Sequence, residues 1–320
     1  MKNEKTLYIV VPCYKEEEVL PETSKRLKAK MLELMKAEKI SKDSRVMFVN
    51  DGSKDRTWEI ISQLHENEPN IFSGVNLSRN RGHQNALLAG LMTAVNYADM
   101  VISMDADLQD DVNAVDGMVE AYHKGFDVVY GVRSSRKTDT FFKRFTAEGF
   151  YKLMKGLGVD IVFNHADYRL MSKRALEGLA QFEEVNLFLR GIVPQIGYPW
   201  TTVEYERHER FAGESKYPLK KMLAFAFDGI TSFSVKPMRL ILVLGVVVFM
   251  VSIIMLIWAL VSKLCGSTEA GWTSMIGSIW LIGGVQLLSL GVIGEYIGKI
   301  YSETKKRPRF IIERVINKVD

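Results

Sequence analysis

The sequence is poor in several features whose absence excludes whole classes of protein. Only two cysteines, Cys13 and Cys265, occur in 320 residues, which excludes a disulfide-stabilised fold. The five histidines have no cysteine or further histidine at the spacing of a zinc site. The first residues carry charges and no apolar run with a small-residue cleavage site, so no signal peptide is expected.

Charge is missing from two long stretches, Leu240–Ser262 and Ala270–Gly294. About 20 apolar residues span a bilayer core, so both stretches are long enough to cross a membrane. The alternative is a pair of buried core helices, but two in tandem are unusual in a soluble protein. A mean hydropathy near zero and a net charge of +4 therefore average two unlike parts.

Basic residues flank these stretches, whereas the segment between them holds only Lys263 and Glu269. Arg239 precedes the first stretch, and Lys299 and the basic run 305–309 follow the second. The positive-inside rule then predicts a multi-pass protein of the inner (plasma) membrane, with its N-terminal part and its tail in the cytoplasm.

The chain is expected to consist of four parts. We predict a large cytoplasmic domain over 1–215, a juxtamembrane amphipathic segment over 216–236, a transmembrane hairpin over 237–300 and a basic cytoplasmic tail over 301–320. The amphipathic pattern of 219–230 fits either an interfacial helix or a core helix, and its position just before the first span favours the interface.

Strand-like and helix-like patterns alternate in the first 131 residues. The predicted strands are Leu7–Val11, Val46–Asn50, Ile71–Leu77, Met100–Met104 and Asp127–Gly131. This alternation predicts a mainly parallel α/β sheet of Rossmann-like type, with ligands at the carboxyl ends of its strands. The pattern over 160–207 is mixed and predicts no definite elements.

Polar segments follow three of these strands. Asp105 and Asp107 can ligate a divalent cation, or they can form a turn in which Asp110 or Asp111 caps the next helix. Asp51 can bind a base or ribose, or its Asp-Gly sequence can simply make a turn. The third segment, Pro12–Glu17, is by itself a strand exit with an acidic helical turn.

Taken together, the three segments resemble the family 2 glycosyltransferases of the GT-A fold. A closer resemblance, over nearly the whole chain, is to the polyisoprenyl-phosphate hexosyltransferases, which include dolichyl-phosphate mannose synthases and bactoprenol glucosyltransferases. It rests on the segments 105–109, 80–86, 166–170 and 213–217. The chain departs from the family at Lys15, Asn50 and 110–113, where Asn, Asp and His-Pro-Pro-Glu are usual.

The resemblance implies a role for each matching residue. The residues expected to bind the nucleotide sugar are Pro12, Tyr14, Glu16, Asp51, Asp105, Arg190 and Ser215. Asp105, Asp107 and Gln109 are expected to hold Mg²⁺ or Mn²⁺, and Arg133 and Arg144 to bind the acceptor phosphate. The expected catalytic residues are Asp107, Asp167 and Lys216. Asp167 could act as a general base or orient other groups, and we favour orientation.

The implied reaction moves a hexose from a nucleotide sugar to undecaprenyl or another polyisoprenyl phosphate. Our preferred donor is UDP-glucose, and inversion would give a β-linked lipid phosphosugar for cell-envelope glycosylation. The expected partners are the bilayer, a second copy of the chain, a separate flippase and a downstream glycosyltransferase, but no nucleic acid. Two alternatives stay open, a processive polysaccharide synthase and a catalytically silent membrane scaffold that binds nucleotide sugar.

Overall fold

The computed structural model describes residues 4–133, 165–206, 236–264 and 271–317. The strands in these ranges are β1 (Leu7–Cys13), β2 (Arg45–Asn50), β3 (Phe72–Leu77), β4 (Met100–Ser103), β5 (Val128–Arg133), β6 (His165–Ser172), β7 (Trp200–Tyr205) and β8 (Ile312–Ile316). The helices are α1 (Leu20–Lys36), α2 (Thr57–Asn67), α3 (His83–Ala94), α4 (Ala114–His123), α5 (Lys173–Ala180), α6 (Leu189–Ile192), α7 (Lys236–Leu264) and α8 (Trp272–Thr304). A 3₁₀ turn, Val193–Ile196, follows α6.

All eight strands form one mixed sheet in the order β7-β5-β6-β4-β1-β2-β3-β8. Strands β3, β2, β1 and β4 are mutually parallel, as the alternating pattern predicts. Strand β6 is antiparallel to both of its neighbours, β4 and β5, and β8 is antiparallel to β3. The five predicted strands are confirmed to within two residues at each end, whereas β6, β7 and β8 were not predicted.

Helices cover both faces of the central strands, which are buried throughout β1 and β2. Ile9 and Val11 belong to the same buried cluster as residues of α1 and α4. Val10 points to the opposite face, where a Cβ on Gly90 of α3 would come within 2.4 Å of it. Burial on both faces explains why these strands have continuous apolar sequences.

The eight-stranded sheet belongs to a first compact unit, and the helices α7 and α8 belong to a second. Large apolar side chains of both helices are exposed, including Leu242, Ile254, Leu281 and Leu287. Within the described residues, one segment, Leu281–Thr304, is long and apolar enough to cross a membrane. The helices α7 and α8 account for most of the segment 237–300, and the transmembrane hairpin expected there stays a prediction. The amphipathic segment 219–230 lies outside the described residues.

The predicted basic tail contributes to the sheet, which the sequence did not indicate. Strand β8 pairs with β3, and the side chain of Ile316 lies close to Gly74 of that strand. The backbone N–H of Ser78 donates to the carbonyl of Ile311 at 3.0 Å. The chain thus returns to the first unit after both long helices.

Candidate active site

The loop after β2 is organised by the carboxylate of Asp51, which is only 2% exposed. Its two oxygens accept hydrogen bonds from the backbone N–H groups of Arg81 (2.6 Å) and Gly82 (2.9 Å), at the start of α3. Burial raises the pKa of Asp51, although these two hydrogen bonds act in the opposite direction. Gly52 has a φ of +62°, and a Cβ there would lie 2.4 Å from the Arg79 carbonyl carbon.

The exit from β1 is attached to this loop. Lys15, in the left-handed conformation with a φ of 57°, donates its N–H to the Ser53 hydroxyl at 3.0 Å. The N–H of Glu16 donates to the Thr57 hydroxyl at 3.1 Å. Pro12 is buried in β1, whereas the ring of Tyr14 is exposed. The structure therefore brings together four of the predicted nucleotide-binding residues, Pro12, Tyr14, Glu16 and Asp51.

Asp105 and Asp107 follow the end of β4, as the sequence predicts. Between Asp107 and Gln109, Leu108 has a φ of 57°, which is uncommon for a residue with a bulky side chain. The N–H of Gln109 donates to Asp107 Oδ1 at 3.2 Å. Backbone conformations of this kind are concentrated at functional sites, because the surrounding structure must hold them.

The carboxylate of Asp167 lies between two arginines. Arg169 donates from Nη2 to Oδ1 at 2.9 Å, and Arg190 donates from Nη2 to Oδ2 at 3.1 Å. Arg169 is fully buried, so removal of its partner would leave an uncompensated charge. Burial alone would raise the pKa of Asp167, but Arg190 and Arg169 outweigh it and hold the pKa well below its usual range.

The sequence analysis missed His83, which lies among the acidic residues. Its Nε2 atom is 3.5 Å from Asp105 Oδ1 and 3.7 Å from Asp167 Oδ2. The neighbouring Gln84 accepts the N–H of Leu189 at 3.0 Å and thereby holds the segment that carries Arg190. His83 lies in the segment 80–86, which was noted for its resemblance, but no local pattern distinguished it from a solvent-exposed helix start.

The donor atoms at this edge fit a divalent cation that also binds a diphosphate. No group of three His, Cys, Asp or Glu side chains within the described ranges is placed to hold a metal ion. Magnesium, however, is commonly bound by one or two carboxylates, with substrate phosphates and water completing its octahedron. Burial raises the pKa of Asp105, and the nearby charges of Asp167 and Asp107 raise it further, while His83 lowers it. A bound cation would relieve the repulsion between these carboxylates.

Arg133 ends β5 beside the last residue of β7, Tyr205. The guanidinium Nε donates to the Tyr205 hydroxyl at 3.4 Å, and that hydroxyl donates to Asp110 Oδ1 at 2.6 Å. Burial, followed by the charge of Asp105, raises the pKa of Asp110 to about 6. Asp110 therefore caps no helix, whereas Asp111 accepts the N–H of Asn113 in a local turn.

Three predicted site residues, Arg144, Ser215 and Lys216, lie outside the described residues. Within the described part, Asp105, Asp167 and Arg190 form one cluster around His83. That histidine also acts electrostatically on Asp51. The nucleotide loop and the acidic residues after β4 are therefore neighbours in one site. The roles assigned to the individual residues stay predictions.

Comparison with known families agrees with this arrangement. Residues 8–179 match the family described as glycosyl transferase family 2, and residues 236–300 match the GtrB C-terminal hairpin. The chain belongs to glycosyltransferase family 2. It is accordingly an enzyme of the glycosyltransferase class with the mixed α/β sheet of the GT-A fold, and the resemblance drawn from its motifs is confirmed.

Several relatives align with this glycosyltransferase over nearly its whole length. The uncharacterised glycosyltransferase YkoT of Bacillus subtilis is 54% identical, over 98% of this chain and 92% of the relative. The prophage bactoprenol glucosyl transferase homologue of Escherichia coli is 40% identical, over 96% of this chain and 98% of the relative. The bactoprenol glucosyl transferase of Shigella phage SfX is also 40% identical, over 95% and 98%.

Proposed function

We propose that this enzyme transfers a hexose from a nucleotide sugar to the phosphate of a polyisoprenyl lipid at the cytoplasmic face of a membrane. UDP-glucose is the preferred donor and undecaprenyl phosphate the preferred acceptor. The observation that carries the proposal is the similarity to bactoprenol glucosyl transferases over nearly the full chain, hairpin included. The product would be a β-linked lipid phosphosugar, formed with inversion at the anomeric carbon.

The charges at the site support a phosphate acceptor. Arg133 lies at the end of β5, and a guanidinium matches the geometry of phosphate oxygens. The Tyr205 hydroxyl is hydrogen-bonded to both Arg133 and Asp110, so this arginine is linked to the segment that follows the acidic pair. Arg144 is assigned to the same acceptor phosphate by resemblance alone.

The chemistry requires little proton transfer. A phosphate monoester has a second pKa near about 6, so most of the acceptor is already dianionic at neutral pH. Asp167 is a poor general base, because Arg190 and Arg169 keep its pKa low. Its proposed role is to orient Arg190 toward the departing nucleoside diphosphate. Catalysis then depends on positioning and on stabilisation of the leaving group by Arg190 and Lys216.

A divalent cation, Mg²⁺ or Mn²⁺, would supply further charge neutralisation at the diphosphate when bound. Asp105 and Asp107 would hold it, with Gln109 adjacent to them. The carboxylate pair provides the hard oxygen ligands that such cations prefer. The nucleoside would lie against the loop that Asp51 organises, with Pro12, Tyr14 and Glu16 beside it.

The path of the chain supports a two-span membrane anchor. Strand β8 pairs with β3, so the polypeptide returns to the first unit after α7 and α8. One crossing would place β8 and β3 on opposite sides of the bilayer, whereas two crossings keep them on the same side. Leu281–Thr304 passes the length and hydropathy test, and the uncharged stretch Leu240–Ser262 in α7 would supply the other crossing.

The remaining partners follow from the reaction. The product forms on the cytoplasmic side, so a separate flippase and a downstream glycosyltransferase are proposed to move it and use it. Gly245, Gly283, Gly284 and Gly291 provide small residues in α7 and α8 for close packing between helices, including those of a second copy.

The experiment that tests this function uses the full-length chain in detergent. It is given undecaprenyl phosphate with a panel of radiolabelled UDP-hexoses and GDP-mannose, in the presence of Mg²⁺ or Mn²⁺. We expect one donor to yield a labelled lipid phosphosugar. The proposal fails if no donor labels the lipid, and a growing polysaccharide without lipid product would favour the processive alternative.

A second experiment tests the acidic pair. Asp107→Ala should reduce turnover at least about 100-fold, because the cation that neutralises the diphosphate loses one of its protein ligands. Asp43→Ala is the matched control, since it removes an exposed carboxylate that contacts only Ser41 among the hydrogen bonds of the described chain. Full activity in Asp107→Ala would remove the metal assignment.

A further inference from the structure

A hydrogen-bonded chain connects the segment after the acidic pair to the arginine at the end of β5. Asp110 is 3% exposed and Tyr205 is 3% exposed. Their O–H···O contact measures 2.6 Å, within the range of charge-assisted hydrogen bonds from a hydroxyl to a carboxylate. The same hydroxyl accepts a hydrogen bond from Arg133 Nε at 3.4 Å.

The direction of these hydrogen bonds defines what the tyrosine does. The hydroxyl oxygen accepts a hydrogen bond from a guanidinium, and the O–H donates one to a carboxylate, so each bond polarises the other. Tyr205 and Arg133 are also paired in register on the parallel strands β7 and β5. The hydroxyl thus lies between Asp110, in the segment after β4, and Arg133, at the end of β5.

The ring of Tyr205 is itself held in place. Tyr168 of β6 contacts it edge to face, with ring centroids 5.2 Å apart. The Tyr168 hydroxyl donates to the carbonyl of Asp111 at 2.9 Å. Gly131 lies so close that a Cβ there would approach the Tyr168 ring to 2.9 Å. The ring of Tyr168 therefore fixes the ring of Tyr205, whereas its hydroxyl binds only the main chain and takes no part in the contact with Arg133.

Burial of a carboxylate is costly, and an apolar contact would join these strands at lower cost. A polar chain is useful where the direction of a side chain matters more than stability. Arg133, the charged end of this series of hydrogen bonds, lies at the position assigned to the acceptor phosphate. Asp110, at the other end, comes one residue after Gln109 of the proposed cation site. The series joins the two substrate sites through three side chains.

We propose that Tyr205 and Asp110 are positioning residues that fix the Arg133 guanidinium relative to the segment 105–109 and so set where the acceptor phosphate binds. This inference rests on the proposed function, because it takes Arg133 as a ligand of that phosphate. Neither residue touches a substrate. Their effect passes through Arg133, so it falls on the acceptor and leaves donor binding unchanged.

The test compares two tyrosine variants of the full-length enzyme with undecaprenyl phosphate as the acceptor. Tyr205→Phe removes the hydroxyl that binds Arg133 and Asp110, and should raise the acceptor KM about tenfold with the donor KM unchanged. Tyr168→Phe removes a hydroxyl that donates to a backbone carbonyl, and should leave both KM values near those of the wild type. An unchanged acceptor KM in Tyr205→Phe, or equal rises in both KM values, overturns the inference.

A double-mutant cycle separates positioning from a general loss of structure. If Tyr205 acts through Arg133, then Arg133→Lys and Arg133→Lys/Tyr205→Phe should have similar acceptor KM values. Independent multiplication of the two single effects contradicts the inference. Asp110→Asn, which keeps an acceptor oxygen for the tyrosine, should retain a lower acceptor KM than Asp110→Ala.

These outcomes are distinct from failure of the proposed function. Absence of lipid product with the wild type refutes the transferase assignment itself. If the wild type is active and the KM values of Tyr205→Phe are unchanged, only the positioning role of Tyr205 and Asp110 is refuted.

Discussion

The two halves of the sheet hold their polar residues by different means. In the half formed by β1 to β4, backbone groups fix the nucleotide loop, as when Arg81 and Gly82 donate to Asp51. In the half formed by β5 to β7, charged side chains hold each other, as when Asp167 of β6 binds Arg169 of the same strand and Arg190 of α6. The first arrangement depends on the shape of the main chain, and the second depends on balanced buried charge.

This difference separates two kinds of sensitivity to mutation. Where backbone N–H groups are the donors, as in Arg81 and Gly82, the side chains of the donor residues can change but the backbone conformation cannot. A buried charge network tolerates little change in charge, because removal of one partner leaves the other without compensation. Three predictions test the distinction, beginning with the largest expected effect.

Removal of the Asp167 carboxylate should be the most destabilising change. Asp167→Ala leaves the buried Arg169 uncompensated, and we expect a loss of about 3–5 kcal/mol in the free energy of unfolding. Urea unfolding of the full-length protein in detergent would measure it. Asp111→Ala is the control for loss of a carboxylate in a loop, and an equal loss in both variants would contradict the buried-charge explanation.

A backbone change should matter most in the other half. Gly52→Ala imposes a side chain at a φ of +62° and directs it at the Arg79 backbone, so we expect a cost of about 2 kcal/mol. Gly125→Ala is the matched control, because Gly125 also has a positive φ, +98°, but nothing lies within 4 Å of its Cβ position. Equal costs would show that the contact with Arg79 contributes nothing.

The smallest effect concerns the pH dependence of a more exposed ion pair beside β5. Hydrogen bonds from Arg174 lower the pKa of Asp127, so the folded state favours the ionised carboxyl. The stabilisation is present above the unfolded pKa of about 3.9 and is lost as pH falls through the lower folded pKa. Asp127→Asn should therefore be about 1 kcal/mol less stable than the wild type at neutral pH.

That difference should shrink toward zero in acid, because the wild-type carboxyl then becomes neutral. Urea unfolding of both proteins across a pH series measures it. A difference that stays constant below pH of about 4 would assign the effect to lost packing and not to ionisation.

The sequence could predict the first half of the sheet and much less of the second. Strands β1, β2 and β4 are mostly apolar, and a polar segment that serves as a motif follows the carboxyl end of each. Strand β6 contains Asp167 and the fully buried Arg169, which break the apolar pattern by which a strand is recognised. Strand β8 could not be predicted, because its exposed residues gain a structural role only by pairing with β3.

The same reasoning applies within the site. Asp105, Asp107 and Asp51 follow strands, so their position makes them candidates, and the family resemblance implies their roles. His83 and Tyr205 become site residues only because folding brings distant segments together. The sequence offers Asp110 only as a helix cap, because its partner Tyr205 lies 95 residues away. A sequence pattern predicts which residues lie at the carboxyl ends of strands. Contacts between side chains from distant segments can be predicted only when the order of the strands is known.

The position of β8 also sets an order of assembly. The ribosome synthesises β8 after both long helices, so the hydrogen-bonding edge of β3 stays unpaired until those helices have been made. An open strand edge favours pairing with other chains, and β8 covers it. The sheet can therefore be completed only after α7 and α8 have been synthesised, and a polypeptide cut short before β8 keeps the edge of β3 open.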